Sequence, residues 1–251
     1  MRRTLLATLF GSVMLAATPC AMAGELLVSA ASSLTNAFKE AAQSYEAQYP
    51  GTKVALNFAA SGVLLQQIAK GAPVDVLASA DQETMDAAQK QGLLAADARR
   101  DFVRNSLVLV VPSDSTFHVK RLDDLGLAAI TRIAISNPAS VPVGRYARHA
   151  LEAAKLWPQI QAKAITTQNV RQSLDYVARG EVDAGFVYNT DAALMKDKVR
   201  VAFEIPLDVP VTYPIAAMKQ GANGAEARRF VDFMLTPAAQ AIFAKYGFLK
   251  P

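Results

Sequence analysis

The chain has 251 residues, of which 19% are charged, and a formal charge of +4 at neutral pH. So even a balance argues against a nucleic-acid grip or a polybasic membrane surface, both of which need clustered cations. The single cysteine excludes an intrachain disulfide, and the two histidines, His118 and His149, have no Cys, Asp or Glu at metal-ligand spacing.

In chain order the first feature is "MRRTLLATLFGSVMLAATPCAMAG". Two arginines, an uncharged apolar run from Leu5 to Ala17 and small residues ending in Ala21-Met22-Ala23 have the layout of a secretory signal peptide. The apolar run is shorter than the ~20 residues a membrane-spanning helix needs. Pro19 fits poorly beside Cys20 as a lipidation site. Residues 1–23 are therefore expected to be removed before Gly24. Cleavage would take away the cysteine and, with Arg2 and Arg3, lower the formal charge from +4 to +2.

Beyond Gly24, short β-type runs alternate with helical patterns, the signature of α/β architecture with mostly parallel strands. "ELLVSA" reads as a strand. Apolar residues then recur at Leu34, Ala37, Phe38, Ala41 and Tyr45, a helical stripe that stops at Pro50-Gly51. "KVALNFA" is a second strand and "GVLLQQIAKG" a helix. "VDVLAS" is a third strand, after which Asp81 can cap "QETMDAAQKQ". After "SLVLVVP" the alternation restarts: strand "RIAISN", a helix from about Arg145 to Leu156, strand "KAITT", a helix from Val170 to Arg179, strand "DAGFVYN". "VTYPIAAMK" is a last extended run. Two helices close the chain, "AEARRFVDFML" and "TPAAQAIFAKYG", the second with Thr236 as N-cap, Pro237 at N1 and Gly247 past its end. The closing helices are expected to return to the first lobe, with the middle of the chain forming a second.

Four helix starts stand out for what they lack. Ser33 sits at the expected N-cap of the first helix and Ser61 just before the second. Val143 lies in "SNPASVPVGRYARHAL" ahead of the middle helix, and Val170 opens the helix in "TTQNVRQSLDYV". None carries a charge. In an open α/β sheet ligands gather at such strand-to-helix junctions. A helix start presents unpaired N–H groups and a partial positive charge, so several converging on one point can hold an anion without Lys or Arg. Taken singly, each serine reads as an ordinary cap, and Tyr188 in "GFVYNTDA" as a half-buried aromatic with a wet hydroxyl. Periodicity alone does not select these residues.

The set "AASSLTNAF", "NFAASGVLLQQIAKGAPVDVLASAD", "NSLVLVVP", "VPVGRYARHAL", "NVRQSLDYVARGEVDAGFVY" and "IFAKYGF" resembles the periplasmic molybdate-binding proteins of ABC transporters, from about Glu25 to the C-terminus. The resemblance implies a type II periplasmic binding-protein fold: two mixed sheets flanked by helices, two lobes joined by two hinge strands, and a tetrahedral oxyanion in the cleft. Residues 24–105 with 213–251 would form lobe 1 and residues 106–212 lobe 2. Ser33 and Ser61 would each donate a hydroxyl and a backbone N–H, Val143 and Val170 their N–H groups, and Tyr188 its phenol. Alanine is common where Val143 stands. Gly62 stands where many relatives carry Ser or Thr, which implies a looser turn behind Ser61. The implied ligand is molybdate or tungstate, with no cofactor, no catalysis and no direct protein ligand to molybdenum. The implied partner is a membrane permease, and the protein would be a periplasmic monomer.

A donor-only site suits such a dianion, which has four acceptor oxygens and no proton, whereas phosphate keeps a proton near neutrality and benefits from an acceptor. Sulfate or thiosulfate is the alternative cargo. An exported hydrolase using Ser33 or Ser61 is the alternative from another class, although neither serine lies in a G-x-S-x-G elbow. A sensing domain partnered to a membrane receptor would share the fold. Asp75 reads as structural, and Arg145, Arg148 and Lys155 as a solvated helix face.

Overall fold

The structure, a computed structural model, describes residues 25–251. The expected signal peptide and its cleavage point lie outside the described residues. Ten strands and nine helices follow one another among these residues. In the first lobe β1 (Glu25–Ala31), α1 (Thr35–Gln48), β2 (Lys53–Ala59), α2 (Ser61–Ala69), β3 (Val76–Ala78), α3 (Gln82–Lys90) and β4 (Arg100–Asn105) come in order. The second holds β5 (Leu107–Pro112), β6 (Ile133–Ser136), α4 (Pro142–Ala153), α5 (Trp157–Gln161), β7 (Ala164–Thr167), α6 (Val170–Ala178), β8 (Ala184–Tyr188), α7 (Asn189–Leu194) and β9 (Val199–Glu204). Then β10 (Val211–Ala217), α8 (Gly224–Met234) and α9 (Pro237–Lys245) return to the first lobe.

Each lobe is built on a five-stranded mixed sheet, ordered β2-β1-β3-β10-β4 and β7-β6-β8-β5-β9. The two sheets share one plan. β1 pairs in parallel with β2 and β3, and β6 in parallel with β7 and β8. The strand entering from the opposite lobe, β10 in one sheet and β5 in the other, lies antiparallel between its neighbours. The chain therefore crosses twice, at Ser106 and through residues 205–210.

The edge strands β4 and β9 escape the sequence reading. "RDFVRN" and "VRVAFE" carry charges along their length, the composition that protects a sheet edge, so neither stands out as an apolar run. Helix α4 begins at Pro142, ahead of the expected Arg145, because the fixed φ of proline suits the first helical position. This places Val143 inside the first turn.

The first lobe's core is aromatic. Phe38 of α1 meets Phe102, Phe230 and Phe243 with ring centroids 5.9, 6.4 and 5.9 Å apart, and Tyr45 packs edge-on against Phe230 and Phe233. These contacts tie α8 and α9 to α1, and α9 is capped as the sequence indicates, by the Thr236 hydroxyl accepting from Ala239 N–H. Asp75 is indeed structural: its carboxylate accepts from the N–H groups of Leu27 and Asn223 at 2.8 and 2.9 Å. No helix among the described residues is long and apolar enough to cross a membrane.

Candidate functional site

The residues that follow the C-terminal ends of six parallel strands line one cavity between the lobes. Ser33 follows β1, Ser61 follows β2 and Ala80 follows β3, while Val143, Val170 and Tyr188 follow or end β6, β7 and β8. All five residues singled out from the sequence are on its wall and all are buried, none more than 3% exposed. The cavity offers about 10 Å³ to the centre of a water-sized molecule. Clefts for organic metabolites run to roughly 300–1,000 Å³. A small inorganic ion is the scale that fits.

Close packing aims the helix starts. In α4, a Cβ on Gly144 would fall 2.0 Å from the Ser136 carbonyl oxygen, so only glycine lets this helix start so near the end of β6. Asn169 caps α6 by accepting from Gln172 N–H. Three buried hydroxyls, of Ser136, Thr167 and Ser173, hydrogen-bond one another at 2.6–3.0 Å and lock α6 onto the ends of β6 and β7. The first turns of α2, α4 and α6 thus all reach the cavity wall, and the N–H groups of a first turn have no partner inside their own helix.

The two serines are not caps. Ser33 lies in a 3-10 turn (Ser32–Leu34) ahead of α1, where no side chain caps the helix, and Ser61 is the first residue of α2, also uncapped. Instead the Ser33 hydroxyl lies 3.0 Å from Tyr213 Oη, and Ser61 Oγ accepts from Ala80 N–H at 3.0 Å. Tyr188 Oη is buried and has no hydrogen-bond partner among the described residues. Burial raises both phenols, Tyr188 and Tyr213, well above the usual tyrosine range, so each keeps its proton at neutral pH.

Two arginines border the site but bond away from it. Arg145 was expected on a solvated face. Its side chain is only 16% exposed and crosses the cleft, with Nη2 2.6 Å from Asp81 Oδ2 and donating to Thr84 Oγ1 at 2.7 Å. Arg148 and Lys155 are exposed as expected. Arg171, next to Val170, reaches from α6 to the Ser33 carbonyl at 3.1 Å and to Asn36 Oδ1 at 2.9 Å. Its Nε is 2.5 Å from Asp191 Oδ1. Burial pushes the Asp191 carboxyl up to about 6, with Arg171 opposing the rise. The turn at Gly62 is not loose either. Gly62 N–H donates to the Ser140 carbonyl of the other lobe at 3.0 Å. Tyr213, Asn105, Arg171 and the Gly62–Ser140 contact carry no local sequence signal, because each matters through a residue distant along the chain. His149 pairs with Asp208 at the surface.

Residues 26–249 match the family described as bacterial extracellular solute-binding protein. The chain is 36% identical to the molybdate-binding protein ModA of Escherichia coli (strain K12) over 231 residues, covering 90% of this chain and 89% of that protein. It is 31% identical to ModA of Haemophilus influenzae, over 91% of each. Among solved structures, the periplasmic molybdate-binding protein of Azotobacter vinelandii superposes with a TM-score of 0.78 at 24% identity, over 90% of this chain and 99% of that one. The chain belongs to the bacterial extracellular solute-binding proteins.

Proposed function

We propose that this protein captures molybdate, and tungstate with it, in the periplasm and hands it to the permease of an ABC importer. The observation that carries the reading is Tyr188 Oη: a buried, protonated phenol without a partner among the described residues, on the wall of a chamber of ionic size that three serines, Ser32, Ser33 and Ser61, and the starts of three helices also line. An unmet buried donor costs about 1–3 kcal/mol, and an oxyanion would remove that cost. Donors from both lobes touch one ion, so the ion binds the closed form better than an open one and draws the population toward closure. The ion's charge is spread over fixed dipoles rather than set against a buried counter-ion.

The neighbours of the serines favour capture over hydrolysis. Ser61 Oγ accepts from an N–H and Ser33 lies against a phenol. Neither partner is a general base, which a serine nucleophile requires.

A thermal melt with molybdate, tungstate, sulfate and phosphate at equal concentration tests the proposal. A ligand at ~100 times its dissociation constant adds ~2.7 kcal/mol, a rise of roughly 5–10 °C for a chain of this size. Molybdate and tungstate are expected to give it, with sulfate and phosphate well behind. A melt unmoved by molybdate would overturn the assignment.

A further inference from the structure

The environment of Ser33 fixes the direction of its hydrogen bonds, although hydroxyl hydrogens can in principle turn either way. Asn105, the last residue of β4, accepts from the Ser106 N–H through Oδ1 at 3.0 Å. An N–H can only donate, so this contact orients the amide and leaves Nδ2 as a donor. Nδ2 faces Thr190 Oγ1 of α7 at 2.8 Å and Tyr213 Oη at 3.3 Å. Having accepted from Asn105, the Tyr213 phenol spends its one hydrogen on Ser33 Oγ, 3.0 Å away. The Ser33 hydrogen must then point elsewhere, and the open direction is the cavity. Asn105 is 7% exposed, Ser33 3% and Tyr213 fully buried, so water does not compete. Ser61 is set in the same sense by the Ala80 N–H.

From this geometry we infer that Asn105 and Tyr213 are positioning residues, a one-way relay that holds Ser33 as a hydrogen donor toward the ligand and so selects an oxyanion without a proton over one that carries a proton. The inference rests on the anion-capture reading above. A hydrogen phosphate ion needs an acceptor for its own proton. With one lone pair committed to Tyr213 and its hydrogen turned to the cavity, Ser33 meets the ion as a donor at the place where that proton would need an acceptor. The relay starts at Ser106, where the chain crosses between the lobes, and its amide also grips α7 of the second lobe.

Three variants test the relay, with binding of sodium molybdate and of inorganic phosphate measured by calorimetry at neutral pH. Tyr213→Phe keeps the ring packing on Tyr188 and Phe248 and frees Ser33 to rotate. Molybdate affinity should fall about 3- to 10-fold, the usual worth of one hydrogen bond, and the molybdate-to-phosphate ratio should fall with it. Asn105→Asp reverses the relay: the carboxylate accepts from Tyr213, Tyr213 accepts from Ser33, and Ser33 turns a lone pair toward the ion. Molybdate affinity should then fall further than in Tyr213→Phe. The double variant retains the new charge but cuts the relay, so it should bind molybdate more tightly than Asn105→Asp alone. A double variant as weak as Asn105→Asp, or Tyr213→Phe with unchanged affinity and ratio, would overturn the relay. Wild-type protein that binds neither molybdate nor tungstate would instead remove the capture reading, and the relay with it.

Discussion

Gly62 and Ser140 meet across the cleft with their backbones in direct contact. The Gly62 N–H donates to the Ser140 carbonyl at 3.0 Å, and a Cβ on Gly62 would stand 2.6 Å from that oxygen. The first turn of α2, which carries Ser61, is thereby docked on the loop that leads to Val143. Gly62→Ala should hold the lobes apart while leaving lobe 1 intact, since alanine suits a helix better than glycine by about 1 kcal/mol. The expected outcome is a ligand-free melting temperature that does not fall and a molybdate affinity lowered at least fivefold, the low end of overpacking costs of about 1–3 kcal/mol. Calorimetry and a melt on one preparation measure both. Unchanged affinity would show that this contact does not limit closure.

The unpartnered phenol predicts an unusual pairing of effects. Tyr188→Phe removes a donor to the ion but also removes a buried hydroxyl that nothing else satisfies. Molybdate affinity should drop by about 1.5–3 kcal/mol, the range for a hydrogen bond to a charged group, while stability without ligand stays level or rises. Ser33→Ala should cost affinity in the same range, yet it strands the Tyr213 hydroxyl and should lower stability too. Equal stability losses in both variants would argue against the ligand role of Tyr188.

Arg145 predicts a dependence on closure rather than on ligand contact. Arg145→Met keeps the apolar stem and removes the reach to Asp81 and Thr84. Affinity should weaken by about 1.5–3 kcal/mol, and small-angle scattering with saturating molybdate should show a less compact particle. Arg148→Met is the control on the same helix: its partner, Glu152, lies one turn on in α4, and an exposed pair of this kind is worth well under 1 kcal/mol. If both variants bound molybdate equally well, the clasp would have no role in capture.

Asp191 predicts a pH signature. Its carboxyl titrates at about 6 in the folded chain and near 3.9 in an unfolded one. Between these values the folded state holds the proton that the unfolded state has released, so this group's contribution is fully present below about pH 4. It is lost as pH rises through 6. Urea unfolding of wild type and Asp191→Asn at steps from pH 4 to 7 should show the wild type losing stability relative to the variant over that window, and no further above it. A constant difference across the series would assign Asp191 an ordinary carboxylate pKa.

The legible part of the fold was the part written in local pattern. Apolar period marked α1, caps marked α3 and α9, and unbroken apolar runs marked β5 and β8, because burial on one or both faces leaves its imprint residue by residue. Edge strands β4 and β9 left no such imprint, since one side of each faces solvent. The five cavity-wall residues were recognisable by their motifs in order, not by their chemistry. Two of them, Val143 and Val170, have side chains that could never signal a binding site.

By itself, then, the amino-acid order determined where strands hand over to helices and that no charge stands at four of those starts, at Ser33, Ser61, Val143 and Val170. Which junctions face one another was decided only when two sheets closed around the crossing strands. Ser33 and Tyr213 are 180 residues apart, and Arg145 and Asp81 are 64 apart. Hydrogen bonds of this reach depend on the relative placement of whole lobes, a property that no window of neighbouring residues encodes. The same placement brings two serines that look like helix caps onto the wall of a shared chamber.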